Sequence, residues 1–334
     1  MEKPFYYEPQ FHSAFTASCV ESSIHHIMYM NGIPSPLLYF DYSLDIYMLQ
    51  DNSLSIGYRF GCKRPIFMSY YLDKIWEYNI SDYKQCWQEM KKRMDDHCQI
   101  VAFSDVYLLP YTPYYNKEHG IHSFILTDYN EANDQLFIID DYKWFYNGPI
   151  SLQSFHDFRK QPFTDVNARN TVLPNHSKWF FIDLHDWQTC SAFESLRQNI
   201  GKTLRVYYDP GESKYPFAGI NCFQYIYDTI KSARIFYELL DELKDMFFTV
   251  YHRWNFHQYC LQQMGNIHNS NACLIAIKEL GHSIAQWRSM LNLCTKIQIS
   301  RDERLFDRLK ERLEETIELE ASRKNTLQAI YTSI

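Results

Sequence analysis

The sequence predicts an α+β protein, an antiparallel sheet in the N-terminal half followed by a mostly α-helical C-terminal domain. Three observations carry this. Short strand-type runs, QIVAFS (Gln99–Ser104), HSFILTDY (His122–Tyr129), QLFIID (Gln135–Asp140) and WFFIDL (Trp179–Leu184), all lie before residue 185. From Asn221 onward there is neither proline nor strand alternation, only apolar residues at helical spacing. At 334 residues the chain is long enough for two domains, expected at 1–185 and 186–334.

The first strong element is a helix over SCVESSIHHIMYMNG, Ser18 to Gly32. Ser18 and Glu21 have the spacing of a capping box. Val20, Ile24, Ile27 and Met28 form an apolar stripe, and Gly32 supplies the left-handed cap. Residues 1–17 form an extended lead-in, and Pro34 and Pro36 force a turn. Leu37–Arg59 shows no resolvable pattern. A helix is expected over Pro65–Tyr78, and a clearer one over Tyr83–Cys98, with Trp87, Met90 and Met94 on one face and Lys91, Lys92 and Arg93 largely opposite. After the QIVAFS strand, Asp105–Tyr111 (DVYLLPY) ends at a proline, and Thr112–Gly120 is a loop. His122–Tyr129 and Gln135–Asp140, joined by NEAND, predict a hairpin. A short helix is expected over Ser151–Lys160. Gly201–Gly219, with Pro210, Gly211 and Pro216, predicts a loop or linker. Helices are expected at about 221–263, 267–297 and 300–330, the last with a stripe of Leu305, Leu309, Leu313 and Ile317, together making a bundle.

Composition excludes several classes. A net charge of -7 with no offsetting basic run argues against general nucleic-acid binding. The N-terminus, MEKPFYYEPQFHS, lacks a basic region followed by an apolar run, so no secretory signal is expected, and no run is long and apolar enough for a membrane span. Nine scattered cysteines without a CxxC pair fit a reducing cytoplasm better than a disulfide framework, and nothing has zinc-ligand spacing. No phosphate loop, HExxH or dinucleotide fingerprint is present. The 27 tyrosines and 23 phenylalanines suggest amphipathic pockets.

The helix cap puts Cys19 in a first helical turn, where free amides and the dipole favour the reactive thiolate. A lone cysteine is more often a buried structural thiol, and the cap raises this one above that prior. A nucleophilic cysteine needs a base and the base an orienting group. His122 begins one strand of the hairpin and Asp140 ends its partner, which places the two ends as neighbours. The order Cys19, His122, Asp140 is that of papain-like enzymes. Asp141 adjoins Asp140 and points to the other face of a regular strand, so one of the two orients His122, with Asp140 favoured. His119 is an alternative base on a less fixed loop, while His25 and His26, on the Cys19 helix, are expected to be structural. Gln10, Ser13 or Thr16 could supply a donor near the thiol. Tyr107, Tyr111, Tyr114 and Tyr115 could line a substrate channel or simply pack, and the charges of Arg301–Glu315 form a solvated helix face.

The Cys19-x-x-Ser-Ser helix, the DVYLLPY segment, and HGIHSFIL followed by LFIIDDY together resemble the butirosin-type acyltransferase family, papain-like proteins of thiotemplate antibiotic pathways. Cys19, Asp105 with Leu109, Pro110 and Tyr111, His122, and Asp140 or Asp141 stand at the motif positions. The match covers roughly the first half. The family's glycine-rich stretch after the first helix is absent, replaced by YFDYSLDIYML, a departure in the substrate pocket rather than the triad. Within the family the chain is similar to members joining a carrier-bound acyl chain to a diamine, as in closthioamide-type assembly.

The resemblance implies a papain-like fold and an amide-forming, cysteine-dependent acyltransferase. Cys19 would take an acyl or peptidyl chain from a carrier-protein phosphopantetheine thioester and pass it to a small-molecule amine, with no cofactor of the enzyme's own. Carrier proteins are usually acidic, so docking requires a basic patch, for which Lys63 with Arg64, or Lys91–Arg93, are candidates. A cysteine peptidase or amidase with the same triad, and a non-catalytic binding protein, are the alternatives. The helical stripes suit a homodimer.

Overall fold

The computed structural model describes residues 19–33, 39–51, 58–62, 75–79, 82–142, 144–160, 163–165, 171–173, 178–185, 187, 191–211, 214–230, 233–268 and 271–333. The lead-in with Gln10, Ser13 and Thr16, the Ser18 cap, the Pro34–Pro36 turn, and Lys63 with Arg64 lie outside them. In chain order the elements are α1 (Cys19–Met30), β1 (Ile46–Gln50), β2 (Tyr58–Cys62), β3 (Ile75–Asn79), α2 (Tyr83–Asp95), β4 (Ile100–Asp105), β5 (Ile121–Asn130) and β6 (Gln135–Asp140). There follow β7 (Tyr146–Ser151), α3 (Leu152–Lys160), β8 (Phe163–Asp165), β9 (Thr171–Leu173) and β10 (Lys178–Ile182). The helices α4 (Ala192–Thr203), α5 (Asn221–Thr229), α6 (Ala233–His268), α7 (Asn271–Ser300) and α8 (Glu303–Ser333) complete the chain. They divide into two compact units, one containing α1 and β3 through β10, the other β1, β2 and α4 through α8.

The first unit is built on a six-stranded antiparallel sheet of order β3-β10-β4-β5-β6-β7. Its core joins the inward residues of the central strands, Ile100, Ala102, Phe124, Leu126, Leu136 and Ile138, to Cys86, Trp87, Met90 and Met94 of α2 and Phe155 of α3. The stripe predicted for α2 is the buried one. Asp82 starts this helix by accepting from the Gln85 amide at 2.7 Å. The hairpin between β5 and β6 turns through Asn130, whose Oδ1 accepts from the Asn133 amide at 3.2 Å, and Asp134, left-handed at φ 53°. A bulge between Leu126 and Asp128 interrupts the pairing.

α1 ends as predicted, in a Schellman turn: Ile33 N donates to Met28 O and Gly32 N to Tyr29 O, both at 3.0 Å, with Gly32 at φ 75°. The single apolar stripe expected for it understates its burial, because every residue from Glu21 to Met28 is buried.

Two expectations for this unit are corrected. The C-terminal part of the helix predicted over Pro65–Tyr78 is instead β3, an edge strand paired with β10. The segment 146–151, YNGPIS, read as leading away from the hairpin up to the helix expected from Ser151, is β7, the other edge, and that helix begins at Leu152. Pro149 has no ladder hydrogen to give, and only an edge strand tolerates that.

In the second unit, residues 39–51 and 58–62, placed with the first domain on sequence, pack with the helices. Asn199 of α4 accepts from the Tyr42 amide at 2.5 Å and donates to Phe40 O at 3.3 Å, and Thr203 Oγ1 accepts from the Leu44 amide at 3.1 Å. The expected loop Gly201–Gly219 begins inside α4, which continues into a π turn over Leu204–Tyr208. Gly219, at φ 58°, donates to Ile46 O at 2.7 Å and packs so tightly on Tyr207 that a Cβ would lie 2.0 Å from its carbonyl oxygen. The helix expected over 221–263 is broken near Ile230 into α5 and α6. In the bundle core Glu320 accepts from Trp287 Nε1 at 2.9 Å, Arg323 Nη1 at 2.5 Å, Ser283 Oγ at 3.3 Å and Tyr208 OH at 2.8 Å, so its buried charge is fully partnered. No helix is long and apolar enough to cross a membrane among the described residues.

Candidate active site

Three histidine–aspartate pairs occur among the described residues of the first unit. In the first, the half-buried Cys19 opens α1 and lies close enough to His122, at the start of β5, for the imidazole to act on its thiol. His122 Nε2 donates to Asp140 Oδ2 at 2.6 Å, leaving Nδ1 as the ring nitrogen for the thiol. His122 and Asp140 are buried. Antiparallel pairing brings the start of β5 to the end of β6, so residues 18 apart in sequence meet.

The second pair separates the two adjacent carboxylates. Asp141 faces His26 of α1, with Nδ1 and Oδ2 3.4 Å apart and both side chains buried. Asp140 is thus the residue at His122, while Asp141 faces the helix that carries Cys19. The third pair places the alternative base: His119 Nδ1 lies 2.6 Å from Asp105 Oδ2, its ring stacked on Tyr107 with centroids 4.4 Å apart. Asp105 Oδ1 meanwhile accepts from the Gly120 and Tyr107 amides at 2.9 and 3.0 Å, which explains why the DVYLLPY segment turns where it does.

Electrostatics separates Cys19 from a structural thiol. Burial pushes its thiol up, but the hydrogen bond and charge of His122, with Ser123 adding to them, bring it down to about 7. Cys222 and Cys294, buried without such a neighbour, are pushed up to about 12. Burial works against a charged His122, yet Asp140 and the Cys19 thiolate raise it to about 9. Both shifts favour a thiolate beside an imidazolium. Burial and the charges of Cys19 and Glu21 push the Tyr142 phenol up to about 12.

Aromatic rings surround the histidine. Trp144 and Tyr142 have centroids 5.5 and 6.1 Å from that of His122, and Tyr114 meets Trp144 edge-on at 5.3 Å. Of the four tyrosines singled out on sequence, Tyr114 and Tyr115 are exposed while Tyr107 and Tyr111 are engaged internally. Tyr142, Trp144 and Ser123 were not anticipated. Ser123 and Tyr142 lie inside the HGIHSFIL and LFIIDDY segments, but their place beside Cys19 and His122 depends on strand register, and Trp144 lies in no motif.

Among the described residues no group of three or more histidine, cysteine, aspartate or glutamate side chains is arranged to hold a metal ion. The basic candidates on α2 are largely engaged: Lys91 Nζ pairs with Glu131 at 3.0 Å, and Arg93 donates to Tyr78 OH at 3.0 Å and lies over Phe181. A thiol, an imidazole and a carboxylate in this order form a site able to carry out nucleophilic acyl transfer. No family model matches the chain, and no curated protein is significantly similar to it.

Proposed function

We propose that the chain is a cysteine-dependent acyltransferase of papain-like fold that forms amide bonds. The observation that carries this is the Cys19–His122–Asp140 array, whose thiol and imidazole are shifted toward each other's charged forms. The Cys19 thiolate attacks the carbonyl of an acyl thioester, and the carrier thiolate leaves with the proton of the His122 imidazolium. Neutral His122 then takes the proton of an attacking amine, the new C–N bond forms, the bond to Cys19 breaks, and the thiolate returns. The resemblance to the butirosin-type family favours an acyl- or peptidyl-carrier thioester as donor and a small amine as acceptor over hydrolysis.

The test is intact-mass analysis after mixing with an acylated carrier protein. A single acyl adduct is expected, lost in Cys19→Ala and discharged by added amine. No adduct, with turnover surviving in Cys19→Ala, overturns the proposal. Discharge by water alone, at an equal rate without amine, identifies a peptidase or amidase instead.

A further inference from the structure

Asp140 is held from more directions than orienting one histidine requires. Its Oδ2 accepts from both His122 Nε2 at 2.6 Å and Tyr111 OH at 2.9 Å, while Oδ1 accepts from the Tyr142 amide at 3.1 Å. Tyr111 is fixed in turn. Its ring lies flat on Tyr146, with centroids 4.1 Å apart and an interplanar angle of 3°. Tyr146 stands directly across the ladder from Asp140, and its hydroxyl donates to Pro149 O at 2.7 Å. Gly148 leaves room for that ring, since a Cβ there would lie 3.0 Å from the Tyr146 hydroxyl oxygen.

We propose that Tyr111 is a positioning residue of this site, its hydroxyl fixing the Asp140 carboxylate and sharing its negative charge with His122. The inference rests on the acyl-transfer reading of Cys19. Burial and the Asp140 charge drive the Tyr111 phenol far above its ordinary range, so it stays a donor at any working pH. A hydroxyl on Oδ2 tempers the pull of the carboxylate on the imidazolium, which must release its proton to the leaving thiolate in each cycle. Edge strand β7, through Tyr146, supplies the flat surface that keeps the hydroxyl aimed.

The test is alkylation of Cys19 by iodoacetate against pH, followed by intact mass. This anionic reagent reacts fastest while the imidazolium stands beside the thiolate, so the basic limb of the profile reports loss of the His122 proton. In Tyr111→Phe, which keeps the ring, the limb should move up by about half a unit or more, and amide formation should fall ~3- to 10-fold. Tyr129→Phe, which loses a hydroxyl bonded to Asp95, serves as the control with an unmoved limb. Site-specific 3-fluorotyrosine at position 111, a stronger donor, should move the limb down, and it keeps the test decisive if the phenylalanine variant does not fold. A limb at the wild-type position in both substitutions overturns the proposal, even if Tyr111→Phe melts earlier. Alkylation needs no acyl substrate, so this outcome is distinct from failure of the acyl-transfer reading, which the Cys19→Ala adduct test decides.

Discussion

At the scale of single residues, the chemistry turns on two groups moved toward each other's charged state. A thiol at about 7 beside an imidazole at about 9 exists as an ion pair across the interval between them. Alkylation of Cys19 by iodoacetamide should therefore rise through about pH 7, whereas an ordinary thiol rises through about 8.5. The adjacent aspartates should behave unequally. Asp140→Asn removes the charge that holds His122 protonated and lets the thiol drift back up, so alkylation at pH 7 should slow by about 10- to 50-fold. Asp141→Asn, which touches His26 instead, should change it less than about 3-fold. Equal effects from the two substitutions would contradict the division of roles. Sequence alone could bring Cys19, His122 and Asp140 together because a helix cap and a hairpin are local features. Tyr111 was visible as a motif residue, but its bond to Asp140 needs β4, β6 and β7 in register, which no local pattern encodes.

At the scale of elements, legibility followed burial geometry. α2 and the central strands carry regular apolar periods and were readable. The edge strands β3 and β7 were not, because an edge has one solvent-facing side and tolerates residues such as Pro149 that a central strand rejects. The stretch after α4 was taken for a loop on its glycines and prolines, yet it holds a π turn and a tight crossing. Gly219 makes that crossing possible, with a left-handed backbone and no Cβ against Tyr207. Gly219→Ala should destabilise the second unit by roughly 2–4 kcal/mol, combining backbone strain with a clash that must push the π turn aside. Gly32→Ala, at φ 75° with nothing within 4 Å of its added Cβ, should cost only about 1 kcal/mol. Urea denaturation of the two variants checks the ranking, and equal losses would refute it.

For the molecule as a whole, acid stability should be governed by two histidines of α6. Burial and the Arg253 charge lower His257 to about 3 and His252 to about 4, against about 6.5 in an unfolded chain. Below pH 6.5 the unfolded chain takes up protons that the folded one refuses. The contribution of these two histidines is therefore full above about 6.5 and falls as the pH drops toward 4, by up to ~1.4 kcal/mol per unit for each. His257→Leu should make that decline shallower, and chemical denaturation at pH 7, 6 and 5 measures the slope. An unchanged slope would exclude His257 as a cause.

The division of the chain into units has a consequence for the order in which the protein is made. The chain supplies α1 to the first unit, leaves for β1 and β2, returns at β3, and leaves again after β10. During synthesis Cys19 emerges about a hundred residues before His122, and the β1–β2 hairpin waits for helices that begin at Ala192. Through that interval the thiol has no imidazole to ionise it. On the proposed reading, the nascent chain thus carries its nucleophile in a dormant form, and the thiol becomes ionisable only once the sheet that holds His122 and Asp140 has closed.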